Sequence, residues 1–260
     1  MRARIAALPA LLLIAVAVWE IAVTVRAARA VPHDDVWARA TRHVREGFQR
    51  GDLIVFAPGW ADPVGRLHLG DLMSLDMAAR MDAERYSRIW EVAQLDARAP
   101  EVAGLAPAQT WDEDGVTVRL YQRRAPTLVA DVRDALPTVI ATGGTPRLEL
   151  AEVGFAPHRC IQVAPTPGTP ARMVFPRLAV GRELVGYVGI ADVFTRRDER
   201  SPIMFEVLVD GARKAAYTIG VEDGWVRFVV PTTPGLADVT FEARATAPRK
   251  LACFAAEARQ

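Results

Sequence analysis

Cysteine and histidine are both scarce in this sequence, two and four residues among 260. Cys160 and Cys253 stand far apart and outside any CxxC spacing, which excludes a zinc ribbon and a thioredoxin-like redox pair. His33, His43, His68 and His158 fall in different stretches with no HxH, HxxxH or HExxH spacing, so no metal site is expected. An excess of one charge is missing too. With 32 basic residues against 31 acidic, no net field gathers phosphate backbones, and nucleic acid is excluded as a partner. No GxSxG elbow occurs. Gly143-Gly144-Thr145 is followed by Pro146 and has no downstream lysine, so it makes no phosphate loop, and no cofactor is expected.

What the sequence does have is apolar residues, 51% hydrophobic against 24% charged, enough for one or two buried cores. The first such stretch runs from Ile5 to Val25. Its roughly 21 residues match the length a helix needs to cross about 30 Å of hydrocarbon. Arg2 and Arg4 precede it and Arg26 and Arg29 follow, so charge bias barely sets its orientation. Ala28-Arg29-Ala30 offers a signal-peptidase pattern, but the apolar run exceeds a usual signal core. Residues 1–30 are therefore read as a transmembrane anchor or signal segment. Either route exports the rest of the chain, to the periplasmic or extracellular side.

Residues 31–140 alternate in period. Val36, Ala40, Val44 and Phe48, with Trp37, form one apolar stripe on a charged helix. Leu53–Ala57 is a continuous apolar run of the kind buried on both faces of a sheet. A helix over roughly 69–84, strands at 86–92 and 115–121 and a short helix at 128–136 complete the pattern of an α/β domain. After Pro146 the helical period disappears. Short β-branched or aromatic runs follow, separated by Pro165-Thr166-Pro167-Gly168, Asp210-Gly211, Asp223-Gly224 and Pro234-Gly235. Residues 147–260 are thus read as an antiparallel β-sandwich or jelly roll, with Asp210-Gly211 its strongest hairpin signal. The fold class is α/β plus all-β behind an N-terminal helix. An exported sandwich permits oxidation, and a Cys160–Cys253 disulfide is expected between an early and the last strand.

Candidate ligand residues come from two places. Ala57-Pro58-Gly59-Trp60-Ala61-Asp62-Pro63 leaves the carboxyl end of the first buried strand, where open α/β sheets place ligands. There Trp60, Asp62, His68 and Asp71 would bring an aromatic plane, carboxylates and an imidazole to a sugar ring, or else Trp60 simply packs the loop. In the sandwich, the charged loop 191–202 offers Asp192, Arg196 and Arg197, whose guanidinium forks grip carboxylates or polyols or pair within the loop. Trp225, after Asp223-Gly224, presents a stacking face or packs between strands. No catalytic constellation emerges.

Two resemblances add to this reading. The stretch 180–191, with Gly186-Tyr187-Val188-Gly189, then 204–211 and Gly224-Trp225-Val226-Arg227-Phe228-Val229-Val230-Pro231, resembles carbohydrate-binding jelly rolls of the galactose-binding-like or NPCBM type. It implies a glycan partner held on loops at one rim, and transfers no particular contact residue. Gly51–Pro58 and Tyr86–Val92, behind a membrane span, are similar to the extracytoplasmic part of membrane glycosyltransferases related to protein O-mannosyltransferases. Those enzymes thread many helices and use an acidic pair in their first outer loop. This chain offers one span and Asp34-Asp35, which implies at most an accessory or degenerate subunit acting with a polytopic partner on lipid-linked sugars. Three readings follow: an exported, membrane-anchored, non-catalytic envelope protein that binds a glycan, a glycosyltransferase accessory, and a purely structural two-domain protein.

Overall fold

A computed structural model describes residues 2–29, 31–191 and 201–260. The chain divides into two compact units, Met1–Leu72 with Arg88–Gln122, and Met73–Ser87 with Arg123–Gln260. The first unit opens with helix α1 (Arg2–Arg29). Its side chains are described over 12–26, all of them exposed. Among the described residues, no helix is long and apolar enough to cross a membrane.

Helix α2 (Asp34–Gly47) buries Val36, Trp37, Ala40 and Val44 of the expected stripe, together with Thr41, while Phe48 caps the helix and is half-buried. Strand β1 (Leu53–Ala57) is buried at every residue. Helix α3 (Asp62–Leu69) follows a single 3₁₀ turn and has Pro63 in its first turn. It lies flush on β1, because a Cβ on Gly65 would sit 2.0 Å from the Phe56 ring. Strands β2 (Arg88–Gln94), β3 (Gln109–Glu113) and β4 (Val116–Gln122) complete a sheet of order β1-β2-β4-β3. Only β1 and β2 are parallel; β2 with β4 and β4 with β3 are antiparallel.

The helix expected over 69–84 is not continuous. It breaks into the end of α3, a 3₁₀ turn and the single-turn α4 (Leu75–Ala78), whose first turn is capped by Ser74 Oγ accepting from Met77 N–H at 3.2 Å. Residues 73–87 belong to the second unit rather than to the α/β part where the sequence division put them. The helix expected over 128–136 is also absent. Its first half is strand β5 (Leu128–Asp131) and its last residue opens a 3₁₀ turn. Strand pairing with a partner far along the chain has overridden local helical propensity there.

The second unit is an antiparallel β-sandwich. After β5 come β6 (Ile140–Thr142), β7 (Arg147–Val153), β8 (Ala156–Val163), β9 (Ala171–Val180), β10 (Glu183–Ala191), β11 (Ile203–Val209), β12 (Ala212–Ile219), β13 (Val226–Pro231), β14 (Gly235–Ala245) and β15 (Leu251–Arg259). One sheet has the order β13-β10-β15-β8-β7 with β5 added to β15, and the other β12-β11-β14-β9-β6. Between them lies a core containing Phe175, Phe205, Phe228, Phe241 and Phe254. The β11–β12 hairpin turns on Asp210 and Gly211, both at positive φ (50° and 76°), the conformation a two-residue loop demands.

Cys160 and Cys253 are disulfide-bonded, with Cα atoms 5.6 Å apart. They face away from the phenylalanine core, into a smaller cluster with Ala151, Val153 and Ala191. Their sequence neighbours Ile161 and Phe254 point inward, as the two-residue period of a strand requires. Residues 73–87 bond to this outer face: Arg159 N–H donates to Ala79 O at 2.9 Å, and Trp225 Nε1–H to Met81 O at 3.1 Å.

Candidate functional site

The four residues nominated after β1 do not form one site. Asp62 is held by Arg66 one turn on. Asp71 accepts both terminal nitrogens of Arg45 at 2.7 and 2.8 Å, and that hydrogen-bonded guanidinium holds its carboxyl below the usual range. His68 stacks on Trp37, with ring centroids 6.4 Å apart, and its Nε2 lies 3.1 Å from Asp34 Oδ1 without hydrogen-bond alignment. Trp60 alone is free to meet a ligand, at 64% exposure. The Asp34-Asp35 pair is engaged as well, since Asp35 accepts from Arg39 at 2.7 Å.

The buried carboxylates of this unit are saturated. Glu91, fully buried in β2, accepts from Ala99 N–H (2.6 Å), Arg119 (2.9 Å) and the Tyr121 hydroxyl (2.9 Å). Burial first, and this carboxylate second, push the Tyr121 phenol up to about 12. Asp52 accepts from Trp90 Nε1–H at 2.8 Å and Gln49 N–H at 3.0 Å. Groups whose lone pairs are already filled hold a fold together and are poorly placed to move protons.

In the sandwich, Asp192, Arg196 and Arg197 lie outside the described residues. Trp225 is not an open stacking face. Its ring stacks on His158 at 4.4 Å and on Tyr187 at 5.9 Å, and its N–H is taken by Met81 O. His158 Nδ1 in turn lies 3.1 Å from Arg80 O, and burial pulls its pKa below the ordinary imidazole value. Beside this stack lies a charged network. Arg259, 1% exposed, donates to Glu257 (2.8 and 3.0 Å), Asp82 (2.9 and 3.0 Å) and Glu84 (2.7 Å). Arg85 reaches Glu257 at 3.0 Å, and Arg133 lies 3.7 Å from the same carboxylate. Acids and guanidiniums alternate through it. Among the described residues, no group of three or more His, Cys, Asp or Glu could hold a metal.

Sequence reasoning missed one residue. The β7–β8 hairpin turns on Gly154 and Phe155, both at positive φ (59° and 68°), and Phe155 is 80% exposed. A bulky L-residue in the left-handed region costs roughly 1–2 kcal/mol, and the same turn accepts Asn or Gly at almost none. The hairpin tip abuts the turn that carries exposed Glu222 and Asp223, since a Cβ on Gly154 would sit 3.1 Å from Gly224 Cα. Asp223 accepts from Gly220 N–H at 2.7 Å, and an exposed aromatic ring at such a tip can cover the apolar face of a pyranose. The only sequence signal was Gly-Phe where a turn dipeptide was due.

No protein-family model matches the sequence, and no curated protein matches it. Solved structures that do match are distant. The CBM51-2 and INT domains of Clostridium perfringens ZmpB share 17% identity at a TM-score of 0.35, over 46% of this chain and 30% of that one. CBM51 of Clostridium perfringens GH95 in complex with methyl-galactose shares 11% at 0.35, over 45% and 92%. A family 35 carbohydrate binding module from Clostridium thermocellum shares 9% at 0.33, over 52% and 98%. The present chain thus spans about a third of the length of the first of these.

Proposed function

We propose that this is an exported, non-catalytic envelope protein whose β-sandwich binds a carbohydrate while α1 tethers it to a bilayer. The carrying observation is Phe155, an aromatic side chain 80% exposed at the tip of the β7–β8 hairpin. The resemblance of 180–191, 204–211 and 224–231 to carbohydrate-binding jelly rolls supports the same reading, and the disulfide suits an oxidising compartment. For the tether, the support is the apolar run from Ile5 to Val25 and the uncovered side chains of Leu12, Leu13, Ile14, Trp19 and Ile21. The accessory-glycosyltransferase alternative gains no support from Asp34 and Asp35, whose neighbours are His68 and Arg39.

A site of so few contacts implies weak binding, on the order of micromolar to millimolar Kd. The full chain, solubilised in detergent and applied to a glycan array, should bind a defined set of glycans. Phe155→Ala should weaken that binding about tenfold, which corresponds to ~1.4 kcal/mol. Phe155→Asn, which suits the left-handed turn position, should lose binding to the same extent. A blank array, or unchanged affinity in both variants, refutes the reading.

A further inference from the structure

Helix α3 is amphipathic in an unexpected direction. Ala61, Gly65 and Leu69, four residues apart, are buried, with Gly65 against the Phe56 ring of β1. The other side carries Val64 at 36% exposure and Leu67 at 82%, and Trp60, in the 3₁₀ turn that leads into the helix, is 64% exposed, so the three make an apolar stripe turned to solvent. Arg66, beside Leu67, is already neutralised by Asp62. Among the described residues, these three stand outside the buried core.

We propose that this outward face of α3 rests on the lipid surface that holds α1. The inference depends on the reading of α1 as a bilayer anchor, and three observations lead from that anchor to α3. The backbone from Arg29 to Asp34 makes five steps, so α2 begins no more than about 18 Å from the end of α1. His68, near the end of α3, has Nε2 3.1 Å from Asp34 at the start of α2 and its ring stacked on Trp37. The carboxyl end of α3 is therefore fixed beside the first turn of α2, close to where the anchor leaves the membrane. A short helix with tryptophan, valine and leucine outward, so near a bilayer, has the chemistry of an interfacial segment. Its indole suits the headgroup level and its aliphatic groups the acyl boundary.

The native cysteines are both consumed by the disulfide, so one introduced cysteine takes a thiol-reactive fluorophore uniquely. The full chain would be reconstituted in phosphatidylcholine vesicles with and without a headgroup nitroxide lipid. Labels would be placed by Val64→Cys, Leu67→Cys, Val18→Cys within α1, and Lys214→Cys on the sandwich. The expected result is at least about twofold quenching at 64, 67 and 18, with little at 214, as for groups at bilayer depth and in water. Quenching at 18 without quenching at 64 and 67 overturns the docking of α3 and leaves the anchor reading intact. No quenching at 18 removes the anchor reading, and the docking falls with it. Emission at 67 that shifts on a protein partner rather than on lipid also overturns the proposal.

Discussion

Replacing Arg259 by methionine would keep most of the side chain's volume and delete its fork. The guanidinium is 1% exposed and donates five hydrogen bonds of 2.7–3.0 Å to Asp82, Glu84 and Glu257. Breaking a buried ion pair from one side costs about 3–5 kcal/mol, because the abandoned carboxylates remain desolvated. Partial compensation sets the lower end of that range. Glu257 would keep Arg85 at 3.0 Å, Glu84 would keep Arg227 at 3.1 Å, and Asp82 would keep the Glu84 N–H at 2.9 Å. The expected loss is therefore about 3 kcal/mol, a large part of the ~5–15 kcal/mol that keeps a domain folded. In a unit of this size it corresponds to a midpoint roughly 6–12 °C lower. Thermal unfolding of the detergent-solubilised full chain, followed by circular dichroism, measures it. Arg213→Met, which breaks an exposed pair with Glu206 at 3.1 Å, serves as the control and should change stability by less than about 0.5 kcal/mol. Should Arg259→Met shift the midpoint no more than Arg213→Met, the network does not fasten residues 73–87 to the sheet and the reasoning fails.

Two further outcomes follow from the same face of the sandwich. Reducing the disulfide, which closes a 93-residue separation, should destabilise the unit by about 4 kcal/mol; alkylation of either cysteine in the unreduced native protein would refute the bridge. His158 has its pKa lowered by burial, so the unfolded chain binds its proton first. The stability it contributes is complete above its unfolded value of about 6.5 and falls as pH drops below it. Urea midpoints of His158→Phe should lack that part of the acid dependence between about pH 6.5 and 5, and an identical pH profile in wild type and variant would contradict it.

The parts of this fold legible in the sequence are those set by neighbours along the chain. Asp210-Gly211 announced its hairpin because only its two φ angles needed satisfying. The α2 stripe and the all-apolar β1 were readable from periodicity. What escaped was decided across long separations. Residues 128–131 form a strand because β15, at Glu257–Arg259, accepts them. Residues 73–87 abandon a continuous helix for partners at 158, 159, 225, 227, 257 and 259. Strand β3, with Gln109, Asp112 and Glu113 among its five residues, sits at a sheet edge and carries no apolar alternation. The candidate site at Phe155 was not legible in the sequence beyond its Gly-Phe dipeptide, and Trp60 is the nominated aromatic that stays exposed. Asp62, His68, Asp71 and Trp225 have the composition of a sugar site, but composition does not reveal that Arg66, Trp37, Arg45 and His158 occupy them.

The strip 73–87 lies in sequence between the parallel strands β1 and β2, yet its bonding partners are in the other unit. The two folding units are consequently interleaved, and no single cut in the gene separates them. A recombinant fragment starting at Arg147 would discard β5, β6 and this strip, stripping Arg259 of Asp82 and Glu84 and uncovering the disulfide side of the sheet. Anyone dissecting the molecule would need to supply the missing strip in trans, and its ability to rescue solubility would itself report how tightly the two threads are sewn.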